Sequence, residues 1–349
     1  MENAVSHSQG SRLLGFVVAF VLLVFAISLA IMRSGHGSNE QSGFRTQIVP
    51  APTGTYLAGY GMVAWVGDWL IVEYGKGVSV YDNRLWQLHT DGSDMHQMQL
   101  PPYPGCVRNG YTSPTRLPDG RLGYAVACDD RSKEAPVYYL VAYDMQSKQA
   151  TPLLKSPLRV NYIRGFSMDP TMTRGFITDS AGFFDKERLM TFTAGRAEYF
   201  DTRGAGPVSY AGKWSPDGKQ IAFLAGGPGF YKPFALYLMS SDGTSLRMLK
   251  DNVYGATSLA WSPDGRFLIY KNSEQGGKPS KVYYLVAVEV STGKDTVIGK
   301  ALYNFLAWSP DGASLVATVS TGDAVDPNDP PESHLEIIDV GSLPAVLGK

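Results

Sequence analysis

From Phe44 onward the chain alternates short apolar runs with turn residues, the rhythm of strands and not of helices. In Ser258-Leu259-Ala260-Trp261 an apolar run ends in tryptophan; a turn follows, and Phe267-Leu268-Ile269-Tyr270 resumes the run. Two such runs around a tight turn read as a β-hairpin. A third run comes next, Phe234–Met239 in one copy and Val282–Val288 in another. A second turn then falls at Asp242-Gly243 or Thr292-Gly293, and a short fourth strand such as Arg247–Leu249 ends the unit. One stretch breaks the rhythm. Leu13–Met32 is 20 residues without a charge, fourteen of them Leu, Ile, Val or Phe. At about 1.5 Å per residue it is long enough for the roughly 30 Å hydrocarbon core of a bilayer.

The turns repeat almost verbatim. Trp214-Ser215-Pro216-Asp217-Gly218, Trp261-Ser262-Pro263-Asp264-Gly265 and Trp308-Ser309-Pro310-Asp311-Gly312 stand 47 residues apart both times. Ser-Pro-Asp-Gly suits a type I turn: proline presets the second position, and glycine supplies the left-handed residue after it. Four antiparallel strands in a period of that length make one blade of a propeller. Stepping backwards finds worn copies at Phe166-Ser167-Met168-Asp169-Pro170, at Arg116-Leu117-Pro118-Asp119-Gly120 and at Trp65-Val66-Gly67-Asp68. The marks at 65, 116, 166, 214, 261 and 308 give six blades. The fold class is therefore all-β, a six-bladed β-propeller of four-stranded antiparallel blades preceded by one transmembrane helix. Its ring must close, because an open ring leaves sheet edges exposed. The last blade lacks a fourth strand, which Phe44–Val49 or Ala345–Leu347 could supply. The amino-terminal segment is preferred, since Pro344 weakens the other.

The Trp-Ser-Pro-Asp-Gly repeat resembles the TolB-type, WD-repeat-like propellers of bacterial envelope proteins, which are six-bladed. The resemblance covers residues 44–349 and is strongest from 205 onward. It implies a fold and a bacterial envelope setting more than an activity. The α/β domain that TolB carries ahead of its propeller has no counterpart here, so that protein's partnership with a peptidoglycan-associated lipoprotein is not carried over. Related propellers precede serine-peptidase domains in prolyl-oligopeptidase-like enzymes. This chain ends with its sixth blade, and no peptidase activity is expected of it.

The resulting organisation is a short tail (1–12), a transmembrane helix or signal anchor (13–32), a flexible tether (33–43) and the propeller (44–349). Ser28-Leu29-Ala30 would also pass as a cleavage site, which would make the propeller a secreted one. Arg12 on one side and Arg33 and Arg45 on the other leave the positive-inside count near a tie. A net charge of -1 with 18% charged residues argues against a nucleic-acid binder. The ring itself is expected to be monomeric, with the membrane and a protein or envelope polymer as its partners.

Candidate chemistry is sparse. There is no Gly-x-Ser-x-Gly elbow, His-Glu-x-x-His or phosphate-binding glycine loop. Gly59-Tyr60-Gly61-Met62-Val63-Ala64 matches a dinucleotide fingerprint but leads into a strand. His89 and His96 flank the Asp91-Gly92 turn and make a poor metal pair without carboxylates. The acidic loop Asp323–Glu332 carries oxygen ligands for calcium or is a solvated insertion stiffened by three prolines. No catalytic residue, metal site or cofactor is assigned. Cys106 and Cys128 fall near opposite positions of the second blade's first hairpin. They would form a disulfide, implying an oxidising compartment, or pack as two buried thiols.

Binding is expected where the first strands of the blades meet the axis. Tyr60, Tyr111, Asn161, Ser209, Ala256 and Tyr303 each stand five residues before a Trp-equivalent. Arg164, Tyr210 and Asn304 add polar groups beside them, as do Arg108, Asn109 and Tyr254. Face loops offer Phe183-Phe184 and Phe230-Tyr231. Exposed aromatics with arginine make binding hot spots, and the alternative for each tyrosine is packing between blades. The expected function is a non-catalytic, membrane-tethered, extracytoplasmic module that binds a protein or an envelope ligand. The alternatives are a lyase or hydrolase acting on a carbohydrate or lactone at the axial channel, and an extracytoplasmic ligand sensor.

Overall fold

In the computed structural model the described residues form twenty-five strands, arranged in six antiparallel sheets. It describes residues 44–347 apart from 58–60, 76–78, 130, 132–135, 181–186, 194–195, 207, 227–232, 256–257, 274–282, 302 and 321–332. The chain divides into Met1–Ser38 and Asn39–Lys349, and every described residue belongs to the second unit. The expected transmembrane helix at 13–32 lies outside the described residues, as does the acidic loop 323–332. No helix among the described residues is long and apolar enough to cross a membrane.

Each sheet is one blade. Blade two runs outward from Arg108–Arg116 through Leu122–Asp129 and Val137–Tyr143 to Ala150–Pro152. Blades three, four and five repeat this order, with inner strands Ile163–Met168, Val208–Trp214 and Leu259–Trp261. In blade one, Tyr56–Leu57 and Val63–Val66 share the inner edge of Trp69–Gly75. Blade six has Tyr303–Trp308, Ser314–Ser320 and Ser333–Asp339, and its outer strand is Thr46–Pro50 from the other end of the propeller. Ala345–Leu347, the rival for that place, belongs to a short helix, Leu343–Leu347, whose Leu343 and Leu347 pack into the core.

Why sheets stack this way follows from the alternation along each strand. In Trp69–Gly75 the side chains of Leu70, Val72 and Tyr74 face blade six, while Ile71 faces blade two. Both faces are apolar, so each blade must bury both against neighbours. Six clusters of buried side chains result, one between each pair of successive blades.

The repeated turn is a small hydrogen-bonded unit. In blade five Gly265 N–H donates to Ser262 O at 2.9 Å, closing the turn, and Gly265 adopts φ +71°. The Ser262 hydroxyl donates to Asp264 Oδ1 and accepts from the buried Phe267 N–H at 2.9 Å. Ser215 and Ser309 make the same pair of contacts in blades four and six. The worn copies keep the geometry with other residues. In blade three Asp169 stands in the serine's place, accepting from Thr173 N–H and Arg174 N–H, and Met172 N–H closes the turn at Asp169 O. Its Trp-equivalent is therefore Met168, paired with Gly175 as Trp214 is with Ile221. The mark at Phe166 is two residues early, because a turn is placed by its hydrogen bonds and not by its aromatic residue.

Replacing Ser215, Ser262 or Ser309 by alanine removes the acceptor of one backbone N–H. Each substitution is expected to cost about 1 to 2 kcal/mol in denaturant unfolding. The turns of successive blades are neighbours, Pro216 against Gly265 and Pro263 against Gly312, so the triple variant set against the three single ones measures the coupling between them.

Candidate functional site

At the end of the ring where the first and second strands of each blade meet, the axial channel opens into a cavity of about 430 Å³. The inner strands of all six blades line it, through the stretches 62–65, 114–118, 164–168, 211–216, 258–261 and 305–309. Trp65, Trp214, Trp261 and Trp308 stand around it, one each from blades one, four, five and six. The indole N–H of Trp261 donates to Lys213 O across the blade boundary at 3.2 Å. The Arg174 guanidinium lies 4.5 Å over the Trp214 ring and 3.6 Å from Asp169. The four tryptophans that end inner strands thus serve at once as blade packing and as cavity wall.

The charges on this wall have one sign. Arg116, Arg164 and Lys213 line the cavity, and no Asp, Glu or His is among the described residues that do. Burial pushes the Lys213 ammonium down to about 8, with no charged group offsetting the desolvation. Lys271, on the second strand of blade five, is 5% exposed. Burial first, and the Arg164 charge second, also lower its ammonium to about 8. Its Nζ sits 4.3 Å over the Tyr283 ring, a cation–π contact that partly replaces water.

A buried acid lies on the opposite side of the ring. Glu73, on the second strand of blade one, is fully buried. Its Oε1 accepts from Asn83 Nδ2 at 2.7 Å, Thr112 Oγ1 at 2.8 Å and Tyr162 OH at 3.2 Å. Its Oε2 accepts from Ser113 N–H at 3.1 Å. One carboxyl therefore ties blades one, two and three together. Ser113 has φ +56° at a bulge in its strand, and the bulge is what frees its N–H for the carboxyl. Desolvation outweighs these four hydrogen bonds and raises the Glu73 carboxyl to about 7.

The residues expected to bind are placed differently from one another. Arg164 lines the cavity. Tyr111 is buried between blades, with its hydroxyl 3.3 Å from Leu100 O and 3.2 Å from Pro101 O. Tyr303 is likewise buried and donates to Glu336 Oε2 at 2.7 Å. Asn161 is exposed ahead of its strand, and Asn304 is half-buried beside Tyr303. Tyr210 pairs with Leu224 at the backbone. Phe183, Phe184, Phe230 and Tyr231 lie outside the described residues. The cavity sits at the far end of the inner strands from the tyrosine positions, so Arg164 alone of the described set reaches it.

His89 and His96 both pack on Trp69, one stacked at 4.0 Å and one edge-on at 6.5 Å. Among the described residues no three His, Cys, Asp or Glu side chains gather closely enough to hold a metal ion. Cys106 and Cys128 are joined by a disulfide, with Cα atoms 5.2 Å apart, pinning the segment ahead of blade two's inner strand to its second strand. Sequence reasoning passed over Glu73, Lys213 and Lys271. Their signal is a charge set in an apolar run, as in Leu70-Ile71-Val72-Glu73-Tyr74 and Phe267-Leu268-Ile269-Tyr270-Lys271.

Comparison with known structures places this architecture. TolB from Acinetobacter baumannii superposes with a TM-score of 0.51 at 15% identity, over 74% of this chain and 60% of that one. A TolB structure from Agrobacterium tumefaciens gives 0.53 at 15% identity, over 79% and 89%. The fold is a TolB-type six-bladed propeller. An oligogalacturonate lyase in complex with manganese aligns at 0.47 and 16% identity, over 86% of this chain and 80% of that one. In sequence, 57 residues are 40% identical to the uncharacterized peptidase YuxL of Bacillus subtilis; they span 16% of this chain and 8% of that protein. No family model matches the sequence.

The Glu73 carboxyl makes stability depend on pH with a defined sign. Its ordinary value is 4.5 and its folded value about 7, so between these the folded chain keeps a proton that the unfolded chain has released. The stability it contributes is complete below about 4.5 and is lost as pH rises through about 7. Unfolding free energy should fall by about 2 to 3 kcal/mol more between pH 5 and pH 8 in the parent than in Glu73→Gln, which cannot ionise. Urea titrations of both at the two pH values test this, and parallel profiles would remove Glu73 as the cause.

Proposed function

We propose that this chain is a non-catalytic binding propeller, held at a membrane by residues 13–32 with its blades outside the cytoplasm, and that its ligand enters the axial cavity at the tryptophan-bearing end. The observation that carries the reading is the cavity wall: every blade contributes to it, and among the described residues it offers aromatic faces and cations but no carboxylate or imidazole for acid–base work. A concave apolar site with a few convergent polar groups is the common form of a binding site. The disulfide supports the compartment, because such bonds persist where the milieu is oxidising.

A catalytic reading has one observation in its favour. Lys213, lowered to about 8, would hold a useful fraction of free amine near neutral pH. It would have to act as base with no second titratable group on the described wall to return the proton. The binding reading needs no such partner.

A photo-crosslinking residue at position 116, on the cavity rim, should give a defined adduct in intact cells. The same residue at position 248, where Met248 is exposed on an outer strand, should not. Equal adducts from both positions, or none from 116, would overturn the cavity as the site of binding. Thiol trapping tests the compartment separately: Cys106 and Cys128 should resist alkylation in cells until reductant is added. Alkylation of both without reductant would place the blades in the cytoplasm. The double Cys→Ser variant should lose about 3 kcal/mol of stability.

A further inference from the structure

We propose that a second site lies in the groove between blades one and two, at the end of the ring opposite the tryptophans: it takes the carboxylate of a small hydrophilic ligand, with Arg84 and Asn109 as the donors. Among the described residues it shares no lining residue with the axial cavity.

The groove follows from how the chain passes from one blade to the next. Its volume is about 440 Å³. Its walls are the turn at Val80–Asp82 with Arg84, the stretch 97–100 that leaves blade one, and the start of blade two's inner strand at 107–109 and 111. Gly110 permits the close approach of these segments, because a Cβ there would collide with Val80 O. Tyr111 N–H donates to Asn83 O at 3.1 Å across the same boundary. The Cys106–Cys128 disulfide holds the chain just ahead of Asn109 to Cys128, which is Asn109's own register partner. The groove is thus built by the fold before a ligand arrives, which lowers the cost of binding.

Two side chains in it hold donors that the fold fixes and leaves unused. Arg84 Nη1 donates to Tyr81 O and Asn83 O at 2.8 Å each, and lies 3.3 Å from Asn109 O. That one nitrogen anchors the guanidinium. Nε and Nη2 form the two-donor edge that matches a carboxylate, and among the described residues they have no hydrogen bond or ion pair. Asn109 Oδ1 accepts from Tyr103 N–H at 3.0 Å, which fixes the orientation of the amide. Its Nδ2 has no partner among the described residues either. The contact at Asn109 O sets the two residues side by side, and both are half-buried, open to the groove.

The other charges of the groove are accounted for. Arg108 lies 4.6 Å over the Tyr81 ring, and its Nε donates to Asp129 Oδ2 at 3.0 Å. Asp82, the one carboxylate among the described lining residues, is exposed and makes no ion pair with Arg84. The open edge of Arg84 is therefore not filled from within. Gln97 and Gln99 add amides that both donate and accept, which suits a ligand with hydroxyl or amide groups beside its carboxylate. A groove of this size admits one such ring or short chain.

Saturation-transfer NMR on the full chain in detergent micelles tests the site. Four probes form two pairs: D-glucuronate against D-glucose, and N-acetylglycine against N-acetylglycinamide. One carboxylate should bind about tenfold or more tighter than its neutral counterpart. Preference within the first pair assigns a sugar acid, and within the second a peptide-like acid. Arg84→Lys keeps a charge and loses the fork, and should weaken that carboxylate by about tenfold. Asn109→Asp keeps an acceptor for Tyr103 N–H and turns the free donor into a negative charge. It should weaken binding by at least as much, and it tests the site independently if the Arg84 variant fails to fold. Lys219→Ala removes a charge that is 81% exposed on blade four and should change nothing. Failure of both carboxylates to bind tighter than their neutral counterparts, or binding unmoved by Asn109→Asp, would overturn the site.

Discussion

Ring closure is the constraint from which the other features of this propeller follow. Thr46–Pro50 pairs with Ser333–Asp339 over five residues, from Thr46 opposite Ile338 to Pro50 opposite His334. Both faces of every blade are apolar, and an unclosed ring would leave one face of blade one and one of blade six in water. Val49 is buried where the closing strand meets blade one, in the cluster that also holds Leu70, Val72, Leu335 and Ile337. The same segment thus completes a sheet and seals an interface. Register is fixed by that burial, since a one-residue slip would turn Val49 outward. The axial cavity exists only in the closed ring, because each blade supplies one side of it.

Convergence on an axis then shapes the inner strands. Regular pairing is interrupted between Thr112 and Thr115, between Ile163 and Phe166, between Tyr210 and Lys213, and between Tyr303 and Leu306. Ser113 and Ala211 adopt left-handed backbone at two of these bulges. A bulge frees backbone groups that a buried strand has no water to satisfy. Side chains from second strands take over: Glu73 accepts from Ser113 N–H, and the Thr318 hydroxyl accepts from Phe305 N–H at 2.9 Å. Polar residues inside apolar strands are in this light part of the strand geometry. Glu73 is held to that place firmly enough to remain buried with its carboxyl shifted to about 7.

Turn chemistry made the blades legible in the sequence. Ser-Pro-Asp-Gly closes its own hydrogen bonds within about six residues, so local reading recovers it, and the 47-residue spacing recovers the ring. Blade three shows the limit: Asp169 does the serine's work, and an aromatic landmark two residues away misplaces the unit. The site was less legible, because which half of an inner strand faces open space depends on how six strands tilt together. Tyr111 and Tyr303 lie where neighbouring blades close over them; Lys213 and Arg164 lie where the channel widens. Nothing local distinguishes these depths. The charges in apolar runs were visible, but their neighbours come from other blades and appear only once the ring is assembled.

Two charged groups shifted by desolvation lie on opposite sides of the ring. Glu73 on blade one rises to about 7 and Lys213 on blade four falls to about 8, each drifting toward its neutral form. An acid and a base placed together would have moved the other way, each stabilising the other's charge. Neither carries a contribution from the other, as expected for groups on opposite blades of a six-membered ring. Glu73 resolves its burial internally, with four donors and a proton. Lys213 lines the axial cavity, and loss of water is the one cause of its shift. A charge that the fold satisfies with its own donors is thereby distinguished from one that it leaves at the edge of an opening.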